Sequence, residues 1–115
     1  MLWRSPLDHL AAERCTPQHG PAAARDEAER LLAQLRGWSM DPNGASIGKT
    51  FALKNYYETM ALVNAVAWIA HREDHHPAME VGYNRLVVTF RTHSVSGLSR
   101  NDFICAAKID TLGVS

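Results

Sequence analysis

The stretch Asn55–His93 reads NYYETMALVNAVAWIAHREDHHPAMEVGYNRLVVTFRTH, and its apolar period changes partway along. In the first half Met60, Val63, Ala67 and Ala70, joined by Leu62, Val66 and Ile69, recur at helical spacing and make a broad apolar face. Asn55 can cap the start, and Glu58 stands three residues on, as in a capping box. The pattern predicts a helix to about Asp74. Pro77 disfavours helical backbone at the residue before it, so the helix must have ended by then. Beyond Pro77 the period is two. Leu86, Val88 and Phe90 alternate with Val87, Thr89 and Arg91. Met79–Tyr83 and Leu86–Thr92 are predicted strands joined at Gly82-Tyr83-Asn84-Arg85, where Asn84 tolerates positive φ. A one-sided helix leading straight into a hairpin predicts a helix laid across a sheet.

Upstream the same grammar recurs. Trp38–Met40 and a run with Ile47, Lys49, Phe51 and Leu53 on one face flank Asp41-Pro42-Asn43-Gly44, a strong turn signal, and predict a second hairpin. Lys49 falls on the apolar side, which predicts a place near an open end. Residues 23–36 put Ala28, Leu31, Leu32 and Leu35 at helical spacing, with Gly37 as the stop. Ser99-Arg100-Asn101-Asp102 is another capping-box start, for a helix to about Leu112. Residues 1–22 hold no sustained period and predict a partly irregular leader with at most a short helix, Leu7–Arg14; the domain proper is 23–115. The order is helix, strand, strand, helix, strand, strand, helix. It predicts an α+β two-layer sandwich: an antiparallel four-stranded sheet with helices on one face.

At 115 residues the chain suits one domain with its own core. Twelve Lys and Arg balance twelve Asp and Glu, so nothing calls for nucleic acid or an anionic membrane surface. Cys15 and Cys105 form neither a CxxC pair nor a dense framework, which suits a reducing compartment. Met1–Pro6 lacks a signal peptide's apolar run, and no stretch could span a bilayer. The expected location is the cytoplasm.

Three of the six histidines fall within Ala70–Ala78: His71, His75 and His76. An unperturbed imidazole titrates near pH 6.5, so such a cluster suits metal binding, proton transfer, or no more than cations at a helix C-terminus. His71 and His75 at i and i+4 could share zinc on a helix, and Cys15 with His19 supplies only two ligands. Residues alone leave these readings open.

The string His71, His75-His76-Pro77, Tyr83, His93, Asp102 resembles the pterin-4a-carbinolamine dehydratases, also called 4a-hydroxytetrahydrobiopterin dehydratases. Leu35-Arg36-Gly37-Trp38, Thr50-Phe51 and Asp102-Phe103-Ile104 extend the likeness over roughly residues 10–112. Some members carry Glu where this chain has His71. The resemblance implies loss of water from a 4a-hydroxytetrahydropterin, with histidine acid and base and neither metal nor other cofactor. It implies His75, His76 and His93 as the catalytic set. Pro77, Thr92 and Asp102 join them in binding the pterin. His71 lies one helical turn before His75, which suits a supporting role behind it or no more than a helix-end cation. It also implies a homodimer or homotetramer, with a pterin as the small-molecule partner. The alternative on the same fold is a protein-interaction, assembly or dimerisation factor, which degenerate histidines would favour.

Overall fold

The computed structural model describes residues 6–114, so residues 1–5 of the expected leader, and Ser115, lie outside the described residues. The elements are α1 (Pro6–Ala12), α2 (Arg25–Leu32), β1 (Ser39–Met40), β2 (Ile47–Ala52), α3 (Tyr56–Glu73), β3 (Ala78–Val81), β4 (Arg85–Phe90), a 3-10 turn (His93–Val95) and α4 (Arg100–Asp110). The sheet is antiparallel in the order β1-β2-β4-β3. The two hairpins become one sheet because β2 pairs with β4 along its whole length, from Ile47 opposite Phe90 to Ala52 opposite Arg85. Alternation then sends Ile47, Phe51, Leu86, Val88 and Phe90 to one buried face. Leu62 and Val66 of α3 and Phe103, Ile104 and Ala107 of α4 complete that core. Each large side chain buried there contributes about 1.5–3 kcal/mol. The helices lie on this one face, as the alternation predicts.

Local departures have local causes. α2 stops at Leu32, earlier than its period suggests. The chain then turns through Gln34 and Leu35, whose amides donate to Leu31 and Leu32 carbonyls at 3.0 Å, and reverses at Gly37 with φ +77. Asn84 keeps a negative φ; its carbonyl instead accepts from the Leu53 amide at 2.8 Å, tying β2 to the β3–β4 turn. Lys49 does face inward, and its ammonium meets the Asp110 carboxylate at 3.0 Å.

The segment expected to be a partly irregular leader is strapped onto the domain. Leu10 of α1 is fully buried in the core. Arg100 holds Glu13 through two bonds of 2.7 Å, and Lys108 donates to the Ala11 carbonyl at 2.6 Å. From Cys15 to Gln18 the chain runs past the ends of α3 and α4 without regular structure.

Candidate functional site

The histidine stretch sits where α3 ends, and a Schellman motif ends it. The His75 amide donates to the Ala70 carbonyl at 3.1 Å and the Asp74 amide to His71 at 3.3 Å, while Asp74 takes the left-handed conformation, φ 50 and ψ 44. Aspartate is among the few non-glycine residues that visit this region readily. The reversal removes His75 from the helix, so His71 and His75 do not share a helical face. His71 stays exposed on α3, its ring 5.8 Å from that of Trp68. His75 turns inward, its ring parallel to Phe90 with centroids 5.8 Å apart.

The start of α4 supplies the partner. Asp102 is fully buried, and its two oxygens do different work. Oδ1 lies 2.6 Å from His75 Nε2. Oδ2 accepts from the Thr92 hydroxyl at 2.8 Å and the Ser99 amide at 2.9 Å, the second being the capping bond expected from the sequence. A carboxylate in the first helical turn also complements the helix dipole. Cap and histidine orienter are thus one group. Its burial keeps it behind His75 and away from the open surface.

The third contribution comes from the loop after β4. The sheet stops at Phe90. Thr92 pairs with Gly97 across a small loop, and His93 opens the 3-10 turn inside it. His93 and the neighbouring His76 are exposed. With His75, Thr92, Arg91 and Ser94 they border one hollow of about 350 Å³. Pro77 does not border it and instead leads into β3. The structure therefore brings His75, His76, Thr92 and His93 together, sets Asp102 behind them, and leaves His71 outside. Phe90, Ser99 and Arg91 were missed as site residues. The capping box could have pointed to Ser99 and the strand alternation to Phe90; nothing in the sequence singled out Arg91. Among the described residues no three His, Cys, Asp or Glu side chains converge as metal ligands.

One carboxylate nearby is perturbed. Burial alone would raise the pKa of Glu73, but the Cys15 amide at 2.8 Å, Lys108 and the Arg14 guanidinium at 2.9 Å outweigh burial and hold it below the ordinary value.

Comparison with known proteins gives the family and the fold. The family model for pterin 4 alpha carbinolamine dehydratase matches residues 21–112. A protein of Nitrosospira multiformis, provisionally named a pterin-4-alpha-carbinolamine dehydratase, is 56% identical over 108 residues, covering 92% of this chain and 94% of its own. The crystal structure of a transcriptional coactivator/pterin dehydratase from Brucella melitensis superposes with a TM-score of 0.75 at 28% identity, covering 79% of this chain and 97% of that one. A pterin dehydratase-like RuBisCO assembly factor of the alpha-carboxysome shares the fold, with a TM-score of 0.58 at 22% identity over 67% of this chain and 89% of that one. With the family model matched over residues 21–112 and a relative 56% identical across most of both chains, the chain belongs to the pterin 4 alpha carbinolamine dehydratase family.

Proposed function

We propose that the chain removes water from a 4a-hydroxytetrahydropterin to give the quinonoid dihydropterin, with His75 and His93 moving the protons. The observation that carries this reading is the convergence of His75, His76 and His93 on one hollow, with His75 pinned by buried Asp102. In the reaction the carbon–oxygen bond at C4a breaks, and the hydroxyl takes a proton and leaves as water. A ring nitrogen loses a proton, and its electron pair closes the new C=N bond. No electrons are exchanged with a second reagent.

The buried carboxylate selects the tautomer of His75. With Nε2–H donating to Asp102, Nδ1 is the nitrogen left to take a proton, which suits His75 as the base. His93, which borders the same hollow, then serves as the acid. The exposed His76 holds the substrate beside them. Thr92 acts through its bond to Asp102. The chain is expected to work as a homodimer or homotetramer: β3 is a sheet edge, and such edges invite pairing.

Turnover of a synthetic 4a-hydroxytetrahydropterin, followed by absorbance, tests the assignment. General acid–base help is worth about 10²–10⁴-fold, so His75→Ala and His93→Ala should each lower kcat by that order. Their double variant should lose less than the product, and His76→Ala should mainly raise KM. Folded His75→Ala and His93→Ala proteins that keep wild-type kcat would overturn the roles. A second reading, assembly or interaction factor, draws on the exposed Tyr56, Tyr57, Trp68 and Tyr83 and on the fold shared with the RuBisCO assembly factor. An inactive wild type that binds no pterin would favour it.

A further inference from the structure

Two cysteines outside the histidine hollow meet across the fold. Cys15 begins the strap, residues 15–18, and Cys105 stands in the middle of α4. Ninety positions separate them in the chain, yet their sulfurs lie 3.6 Å apart, too close for another atom to stand between. We propose that Cys15 and Cys105 are a peroxide-responsive pair, which closes into a disulfide and fastens the strap to α4. The pair stands apart from the pterin reading above and does not rest on it.

Three observations carry the proposal. First, exposure divides the roles. Cys15 is half-buried and borders a groove of about 240 Å³, which the rest of the strap, His75 and Asn101 border too. Hydrogen peroxide is hardly larger than water, so this groove admits it to Cys15. Cys105 is fully buried and out of its reach. Secondly, the thiol hydrogens are ordered. A carbonyl only accepts, so the Cys15 S–H donates to the Asn101 carbonyl at 3.6 Å. The Cys105 S–H then points at the Cys15 sulfur. That bond and burial hold the Cys105 thiol above its ordinary pKa, so it keeps its proton until its partner is oxidised. Thirdly, little has to move. A disulfide spans about 2.05 Å, so the sulfurs must close by about 1.5 Å. Phe103, Ile104 and Ala107 fix α4 in the core, so the closing falls to the strap, which has no regular structure. The strap already lies against its target. Asn101 accepts from the Thr16 amide at 3.2 Å and donates to the Thr16 carbonyl at 2.7 Å.

The chemistry runs in two steps. The Cys15 sulfur attacks hydrogen peroxide; a sulfur–oxygen bond forms, the oxygen–oxygen bond breaks, and the departing hydroxide takes the thiol proton as water. The Cys105 sulfur then attacks the sulfenic acid on Cys15. A sulfur–sulfur bond forms, the sulfur–oxygen bond breaks, and a second water carries off the Cys105 proton. Two thiols have lost two electrons and two protons, and one peroxide has become two waters. A dithiol reductant reverses the change by exchange.

The test treats the reduced full chain with a small excess of hydrogen peroxide. Peptide mass mapping without reduction should find Cys15 joined to Cys105 within one chain, and dithiothreitol should restore both thiols. Cys105→Ala should stop at the sulfenic acid of Cys15, which dimedone captures, and Cys15→Ser should leave Cys105 unmodified. Fastening is read separately, by hydrogen exchange. The Cys15 and Thr16 amides should exchange at least about tenfold more slowly in the oxidised chain, because the crosslink opposes local opening of the strap. A wild type that keeps both thiols, takes up oxygen on Cys15 without crosslinking, or joins two chains overturns the pair. A crosslink that leaves strap exchange unchanged or quickens it overturns the fastening. If Cys105→Ala does not fold, the wild-type map decides the pairing by itself.

Discussion

Helix α4 carries a buried aspartate at each end, and the two behave differently. Asp102 stands in the first turn and takes hydrogen bonds from Thr92 and Ser99, besides its contact with His75. Asp110 stands at the last position and takes the Trp38 indole N–H at 2.9 Å, the Lys49 ammonium at 3.0 Å and the Arg36 amide at 3.2 Å. Both side chains are almost wholly buried, at 0% and 2% exposure. Open space does not separate them, because a hollow of about 420 Å³ borders Lys49 and Asp110 as well. The helix dipole and the partner do. A carboxylate at a helix N-terminus is favoured by the dipole and is satisfied by neutral donors plus a titratable ring. At the C-terminus the dipole opposes it, so it needs a standing positive charge. An ammonium keeps its proton near neutral pH, whereas an imidazole exchanges one. One end of α4 therefore carries a buried ion pair, and the other carries the imidazole to which the proposed function gives a proton-moving role.

The largest expected effect comes from breaking the structural end. Lys49→Met leaves Asp110 buried beside the helix C-terminus without its cation. Removing one partner of a buried pair costs about 3–5 kcal/mol. Urea unfolding should register that loss while kcat of the folded fraction stays near wild type; a loss below about 1 kcal/mol would place the two ends on a par. The mirror experiment is Asp102→Asn, which keeps the shape but removes the carboxylate that, in the proposed function, selects the Nε2–H tautomer of His75. It should lower kcat by about 10²-fold, the lower bound of general acid–base help, and cost only about 1 kcal/mol of stability. An enzyme left fast by that change would show that Asp102 only caps the helix.

Smaller effects probe what surrounds the Asp102 end. Glu73 has a folded pKa below its ordinary value of 4.5, so it binds its proton less readily folded than unfolded. Its contribution is complete above that value and is lost as pH falls through the lower, folded one. Hydrogen exchange at the Cys15 amide, corrected for intrinsic rates, should hold steady from pH 7 to 5 and quicken below about pH 4.5. Glu73→Gln should weaken the strap by about 1–3 kcal/mol and flatten that dependence. His71→Ala should change least: kcat and KM within about threefold, because its exposed ring sits against Trp68 and away from the hollow. A tenfold fall would return it to the site.

Periodicity was enough for the elements, their order and the one-sided sheet, because helix and strand repeats are local properties of the chain. The run Leu86, Val88, Phe90 named its own buried face, and Ser99 with Asp102 named its own cap. The family likeness rested on residues that can be read in a row. Local pattern could not say that the Asp74 reversal takes His75 off the helical face it would share with His71, since that depends on one backbone conformation. It could not say that Lys49 meets Asp110, sixty-one residues away, or that residues 15–18 wall the groove beside His75. By itself the sequence determined which groups are available. Only the tertiary structure decided which of them meet, because the helix ends, the strap and the loop after β4 come from distant parts of the chain and are brought together by packing on a shared core.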